Sequence, residues 1–232
     1  MYLFAKRIFD IIISLLILII LSPLFIPIVI FLSLTGEKHV FYYQKRIGYK
    51  NRRFDIIKFA TMLKDSPNLG TGYITLRNDP RLLPLGKFLR MTKINELPQL
   101  LNVLKGDMSL VGPRPLVDRT FNAYQQDVQS IIYNSKPGIT GIGSVIFRDE
   151  EKLISSSSIP VDEYYTLYIA PYKGALELWY LKNRSFGTDL KIIFLTCWVI
   201  IFPFSSLTRK LFKDLPQKPL EILTTQPVVF TK

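Results

Sequence analysis

The side chains of this chain that could do chemistry are mostly basic, and they favour phosphate chemistry. Arg90, Arg114 and Arg148 each lie beside a turn or helix-end signal, and an arginine fork matches two phosphate oxygens at once. Two prolines flank Arg114, and a stiff backbone suits a preformed anion site. Lys58, between two apolar neighbours, is a further candidate. The competing interpretations are solvated surface arginines, and a lysine whose stem covers apolar surface while its ammonium stays in water.

An acidic candidate follows an asparagine at the predicted start of a helix. Glu96 would lie at the positive end of the helix dipole, which favours the ionised carboxylate. Mg²⁺ prefers oxygen ligands and bridges to phosphates, so Glu96 is the candidate metal ligand. The alternative is a glutamate that serves only the helix dipole, and the residues alone leave both interpretations open.

The elements that must position these side chains are a helix and two rigid turns. Leucines with i, i+3, i+4, i+7 spacing predict a helix over 97–104. Asn95 is its expected N-cap, and Gly106 is expected to end it. Pro and Gly in 111–115 and 136–141 predict non-helical segments. Arg114 lies within the first of these segments.

Composition limits the possible partners. The chain has 232 residues, 48% of them hydrophobic, with 30 Lys and Arg against 18 Asp and Glu, a net charge of +12. This composition excludes a disordered chain and indicates an anionic partner: a membrane surface, a nucleic acid or a phosphorylated substrate. A single cysteine (Cys197) excludes an internal disulfide, and a single histidine (His39) excludes a His-cluster zinc site.

The N-terminal segment is apolar from residue 9 to residue 34, long enough to cross a bilayer core of about 30 Å. Basic residues on both sides favour keeping both ends in the cytoplasm, and they also explain the charge without nucleic acid, which we do not expect as a partner. Ser22-Pro23 divides the segment into arms of roughly 16 Å, too short to cross alone. A re-entrant helix-break-helix and a single kinked spanning helix are both compatible with this pattern.

Two further segments of the chain predict secondary structure. Short strands are predicted around 41–43 and 54–59, on either side of a basic turn. A second apolar stretch, 190–204, is too short to span a membrane and is followed by basic residues. It is either an interfacial amphipathic helix or a buried core helix.

Short motifs along most of the chain resemble those of the monotopic bacterial polyprenyl-phosphate phosphoglycosyl transferases, the bacterial sugar transferase family. The resemblance covers roughly residues 6–196. It rests on motifs that stand here in this order: Lys6–Asp10, Ser22–Pro23, Gln44–Gly48, Lys58–Met62, Asn78–Arg81, Glu96–Leu100, Asn102–Ser109, Val111–Pro115 and Lys136–Gly141.

The resemblance implies an α/β fold and a membrane topology. The expected architecture is a re-entrant membrane helix over 1–36, broken at Ser22-Pro23, and a small cytoplasmic α/β catalytic domain with interfacial amphipathic helices over 37–204. A C-terminal tail over 205–232 would follow. The resemblance places such a protein on the cytoplasmic face of the bacterial inner membrane.

The resemblance also implies a reaction. A sugar-1-phosphate would move from a UDP-sugar to polyprenyl (undecaprenyl) phosphate with release of UMP, as the first membrane step of surface polysaccharide or glycoconjugate synthesis. Family members need Mg²⁺, and their catalytic Asp-Glu pair matches Asn95 and Glu96. Lys58, Arg90 and Arg114 match basic positions near the phosphates, and Glu177 stands where the family has an Asp.

Two departures from the family pattern bear on activity. The family nucleophile is the Asp of the pair, and the amide of Asn95 is a far weaker nucleophile. The interpretations are an inactivating substitution, a natural variant that transfers directly, and a protein without catalysis that binds nucleotide-sugar or lipid for a partner glycan enzyme. The second departure is a long, charged stretch over 147–172. The sequence leaves the sugar unnamed and a homo-oligomer open.

Overall fold

The chain folds as a mixed α/β protein, as expected. The computed structural model describes residues 2–69, 79–155, 159–203, 205–219 and 222. Pro and Gly predict a loop over 66–72, and its last three residues lie outside this set. The helices are α1 (Tyr2–Leu34), α2 (Gly86–Met91), α3 (Gln99–Lys105), α4 (Asp118–Asn122), α5 (Gln126–Ile131), α6 (Ile142–Ile146), α7 (Glu150–Ser155), α8 (Val161–Tyr164), α9 (Ala170–Asn183), α10 (Phe186–Ile201) and α11 (Leu207–Leu211). The strands are β1 (Phe41–Ile47), β2 (Arg53–Phe59), β3 (Ser109–Val111) and β4 (Gly138–Thr140).

Two small strand pairs form the frame of the fold. β1 and β2 pair antiparallel, from Phe41 opposite Phe59 to Ile47 opposite Arg53, so both predicted strands are confirmed. β3 and β4 pair parallel. An isolated bridge between Ile47 and Leu116 ties the hairpin to the segment that follows β3.

The helix predicted over 97–104 begins later than expected. A 3₁₀ turn occupies Ile94–Glu96, and α3 starts at Gln99 after Pro98. The prediction of Asn95 as N-cap is wrong, because Asn95 lies inside this turn and makes no capping hydrogen bond. Gly106 ends the helix as predicted, with a positive φ of 98° that a side chain would disfavour. Glu96 therefore lies outside the first turn of α3, and the dipole does not explain it.

One large core unites most of the chain, including part of the predicted tail. Phe212, Leu215 and Ile222 belong to the same buried cluster as α9 and α10. The second apolar stretch forms α10, which buries Ile192 and Leu195 and exposes other large apolar side chains. The structure confirms a core-facing side of this helix, and an interfacial position of its exposed side stays a prediction. The division of the chain at 36 and 204 stays a prediction.

The N-terminal helix α1 continues through Ser22-Pro23 as one helix of 33 residues, as in the single-helix interpretation, and not as two separated helices. Its path through a membrane, re-entrant or spanning, stays a prediction. A proline lacks the N–H that would bond the carbonyl four residues earlier, here that of Ile19. The Ser22 hydroxyl donates to this carbonyl at 2.8 Å, so the serine replaces the lost donor. By length and composition α1 is able to cross a membrane, and only 11% of its most apolar stretch is buried in the protein.

Both ends of α1 pack on the globular body. Near its start, Lys6 pairs with Asp189 at 2.6 Å and Asp10 accepts a hydrogen bond from Ser109 at 2.7 Å. Near its end, Ile28 and Leu32 share a buried cluster with residues of β2 and α2. The part of the helix between Ser14 and Ile28 contributes no buried side chain.

Candidate active site

All seven predicted catalytic and substrate-binding side chains line one cavity of about 1080 Å³. They come from different elements: β2, α2, the 3₁₀ turn before α3, the segment after β3, the turn after α6, and α9. In chain order they are Lys58, Arg90, Asn95, Glu96, Arg114, Arg148 and Glu177.

Glu96 is the centre of the cavity's charge cluster. Its Oε1 accepts a hydrogen bond from Lys58 Nζ at 3.0 Å and from Arg114 Nη2 at 2.7 Å. Burial alone would raise the pKa of this carboxyl, but Arg114 and Lys58 outweigh it and hold the pKa well below its usual value. Glu96 is therefore ionised at neutral pH.

Arg114 is held through its backbone. The Tyr133 hydroxyl donates to the Arg114 carbonyl at 2.8 Å and accepts from the Leu116 N–H at 2.9 Å. Arg46 donates to the Pro115 carbonyl at 3.1 Å. A β-carbon on Gly112 would lie 2.4 Å from the Lys136 carbonyl oxygen, so close packing requires glycine there. The predicted rigid segment is confirmed, and its stiffness comes from these contacts as well as from its prolines.

Lys58 extends from β2 into the cluster with 14% of its side chain exposed. Burial lowers its pKa to about 7, although Glu96 opposes this shift. Arg46 lies on the paired strand β1, opposite Phe54, and burial likewise lowers its pKa to about 10. Several cations thus share the single Glu96 carboxylate, which leaves the cluster with excess positive charge.

Arg90 and Arg148 line the same cavity but pair elsewhere. Arg90 Nη2 lies 2.6 Å from Glu151 Oε1, and Arg148 Nη1 lies 2.9 Å from Asp149 Oδ2. The structure thus brings Lys58 and Arg114 into contact with Glu96, and it places Arg90 and Arg148 on the cavity wall with acidic partners of their own.

Asn95 and Glu177 are both buried on the cavity wall. One side-chain oxygen of each, Asn95 Oδ1 and Glu177 Oε2, has no hydrogen-bond partner among the described residues. Burial raises the pKa of Glu177 to about 8, so this carboxyl is mainly protonated at neutral pH. A neutral acid can lie beside an anionic ligand without repelling it.

Sequence reasoning missed several residues around the site. Arg46 and Tyr133 hold the Arg114 segment, and Lys93 adds positive charge near Glu96. Arg46 lies in the family motif Gln44–Gly48, which could have indicated its role. Tyr133 carried none, because nothing local in the sequence relates it to residue 114.

A divalent cation has few protein ligands in this cavity. Within the described ranges, no three His, Cys, Asp or Glu side chains are grouped to hold a metal ion. The Glu96 carboxylate and the unpartnered oxygen of the adjacent Asn95 are hard oxygen donors of the kind Mg²⁺ prefers. These residues fit a cation that takes its remaining ligands from phosphate and water.

A basic cavity centred on the ionised Glu96 carboxylate, beside a long and exposed apolar helix, is typical of a membrane-associated protein that binds an anionic ligand. The comparison with family models agrees with this class. The chain belongs to the bacterial sugar transferase family, whose model matches residues 1–203.

Relatives of this chain are named for sugar phosphotransfer or for exopolysaccharide production. The chain is 35% identical over 212 residues to the undecaprenyl-phosphate galactose phosphotransferase of Salmonella typhimurium, which covers 85% of this chain and 40% of that protein. It is 32% identical over 207 residues to the exopolysaccharide production protein ExoY of Rhizobium meliloti, covering 83% of each. It is 35% identical over 196 residues to the undecaprenyl-phosphate glucose phosphotransferase of Komagataeibacter xylinus, covering 82% of this chain and 35% of that protein. The chain thus spans about 40% of the length of the Salmonella relative.

Proposed function

We propose that this protein transfers a sugar-1-phosphate from a UDP-sugar to undecaprenyl phosphate, releasing UMP, and so begins the synthesis of a surface polysaccharide. The observation that carries the proposal is the Lys58–Glu96–Arg114 cluster on the cavity wall of a chain in this family. The relatives named for undecaprenyl-phosphate phosphotransfer supply the substrate class.

The residues support a reaction that depends on positioning and charge. Arg114 and Lys58 would hold the donor phosphates and offset the charge that develops during phosphoryl transfer. An oxygen of the acceptor phosphate attacks the β-phosphorus, the bond from that phosphorus to the bridging oxygen breaks, and UMP leaves with the electron pair. The acceptor is already anionic, so direct transfer needs little base assistance, and the neutral Asn95 would orient rather than attack.

Mg²⁺ is the proposed cofactor. Glu96, with the Asn95 amide oxygen, would hold it, and the ion would neutralise charge on the donor phosphates. Arg114 and Lys58 already bind Glu96, so besides holding the phosphates they would also fix the orientation of that carboxylate.

We propose a re-entrant, monotopic placement of α1 at the cytoplasmic face of the inner membrane, with the exposed face of α10 at the interface. The contacts of Lys6 and Leu32 with the same globular body support it, because they keep both ends of the helix on one side of the bilayer. A helix that crossed once would carry its first turns away from Asp189.

Cysteine labelling tests this topology. In a Cys197→Ser background, Leu3→Cys is expected to react with an impermeant maleimide in inverted membrane vesicles and to stay unlabelled in intact spheroplasts, because Leu3 is 62% exposed beside the Lys6–Asp189 pair. Lys213→Cys, exposed near the other end of the chain, is the matched control for the cytoplasmic side. Labelling of position 3 in intact spheroplasts would contradict the re-entrant placement.

Affinity for UDP is expected to fall as the pH rises from 7 to 9. Lys58 has a pKa of about 7 and loses the charge that holds phosphate in this interval, while Glu177, with a pKa of about 8, gains a negative charge. Calorimetric titration with UDP measures the slope. Lys58→Arg, which stays charged, is expected to flatten it, and Lys58→Arg with an unchanged slope would exclude Lys58 as a phosphate contact.

The depressed pKa of Lys58 also makes the free energy of unfolding depend on pH. Between the folded pKa of about 7 and the unfolded value near 10.4, the unfolded chain binds more protons at Lys58 than the folded chain does. The contribution of Lys58 to the free energy of unfolding therefore increases with pH across this window.

A UMP-release assay tests the proposed function. The full chain, in membranes with undecaprenyl phosphate, Mg²⁺ and a panel of UDP-sugars, is expected to release UMP with at least one sugar and to form the matching lipid-linked product. Absence of UMP with every sugar, in the unaltered chain and in Asn95→Asp alike, would refute it.

A second function is favoured by one observation, the neutral amide at position 95. A chain without turnover would bind nucleotide-sugar or lipid and support a partner glycan enzyme. Tight UDP-sugar binding without UMP release, and cellular glycan output unchanged by Glu96→Ala, would favour it.

A further inference from the structure

The long, charged stretch that the family pattern left unexplained lies against the cavity. Three successive acidic residues, Asp149, Glu150 and Glu151, each pair with a cation that lines it. Arg90 and Arg148, two of the predicted phosphate contacts, are thereby bound to carboxylates of this protein. A phosphate reaching them competes with those carboxylates for the guanidinium groups.

The acidic partners differ in how readily they leave. The side chains of Asp149 and Glu151 are 52% and 47% exposed, so water solvates them once they are displaced. Exposed ion pairs are weak, and exchange with a phosphate costs little. Glu96, whose side chain is 13% exposed, is bound by two cations and stays in place. Glu150 pairs with the buried Lys173, which also lies over the Phe147 ring.

We propose that Asp149 and Glu151 determine the affinity of the cavity for phosphorylated ligands by competing with them for Arg148 and Arg90. This inference rests on the proposed function, which places a UDP-sugar in the cavity. A diphosphate offers two charged groups and displaces the carboxylates, whereas a weakly charged ligand does not. The acidic stretch therefore selects for highly charged donors.

The competition makes removal of an acidic side chain tighten binding. Glu151→Gln is expected to lower the UDP dissociation constant about threefold, and at most about fivefold, the range of an exposed ion pair. Asp149→Asn is expected to act in the same direction. If Glu151 instead serves to position Arg90 for the ligand, the same substitution weakens binding.

The experiment is calorimetric titration of the full chain in lipid nanodiscs with UDP and, separately, with inorganic pyrophosphate. Glu163→Gln is the matched control, because it adds the same charge change on an exposed residue outside the cavity lining. The proposal is supported if the dissociation constant falls in Glu151→Gln and not in Glu163→Gln. The decrease should also be lost in the Arg90→Gln, Glu151→Gln double variant. A Glu151→Gln dissociation constant equal to or weaker than that of Glu163→Gln overturns it.

The two probes separate this inference from the proposed function. An unaltered chain that binds pyrophosphate but no UDP contradicts the function, while the effect of Glu151→Gln on pyrophosphate still tests the competition. An unaltered chain that binds UDP, with no variant binding tighter, contradicts the competition alone.

Discussion

Asn95→Asp is expected to raise the rate of UMP release by roughly 100-fold or more, because it places an anionic nucleophile where the chain now has a neutral amide. The position suits a carboxylate. Asn95 is buried beside Glu96, where Lys58, Arg114 and Arg46 outnumber one acidic group, so a second negative charge is stabilised rather than repelled. The side chain also keeps its shape, and its unpartnered oxygen would then bear the charge.

The measurement is the initial rate of UMP release, together with the intact mass of the protein after brief exposure to UDP-sugar. A mass increase equal to one sugar-phosphate is expected in Asn95→Asp and not in the unaltered chain. Asn122→Asp, an exposed residue of α4 away from the cavity, controls for the charge change. A rate in Asn95→Asp no higher than in the control would mean that position 95 does not face the reacting phosphorus.

Glu96→Gln is expected to reduce turnover about 100- to 1000-fold in the Asn95→Asp background, the size of effect seen when one preorganised electrostatic group is lost. The carboxylate orients Lys58 and Arg114 and is the proposed magnesium ligand. Binding is expected to behave differently. UDP affinity should hold or increase, because two cations lose a competing anion.

Stability changes in the same variant. Removal of one partner leaves cations unpaired, which costs about 3–5 kcal/mol for a fully buried pair. We expect roughly 1–3 kcal/mol here, since 34% of the Arg114 side chain is exposed. Thermal unfolding measures this loss, and Glu163→Gln is again the control. Turnover above one tenth of the parent rate, in a folded variant, would remove Glu96 from the catalytic machinery.

The sequence was sufficient to find the central cluster. Lys58, Glu96 and Arg114 stand in recognisable motifs, and the structure brings them into contact. The rigid segment around Arg114 was also predictable, since its prolines and glycine restrict the backbone locally.

The partners of the outer cations were not predictable from local pattern. Arg90 meets Glu151 across 61 residues, and Arg46 meets the Pro115 carbonyl across 69. Strand alternation and helix periodicity tell which face a side chain is on, not which distant group it meets. The prediction of Asn95 as the N-cap was wrong for a different reason. The helix α3 starts only after Pro98, so Asn95 lies inside the preceding 3₁₀ turn.

The pair between Lys6 and Asp189 joins residues 183 positions apart, which has a consequence for biosynthesis. At ribosomal rates of 5–20 residues per second, Asp189 emerges roughly 10 to 40 s after Lys6. With α1 in the bilayer as proposed, Lys6 would lack its carboxylate partner during that interval. The nascent chain would therefore bind the membrane before the Lys6–Asp189 pair forms, and a ribosome stalled before codon 189 would leave a lipid-bound intermediate without this pair.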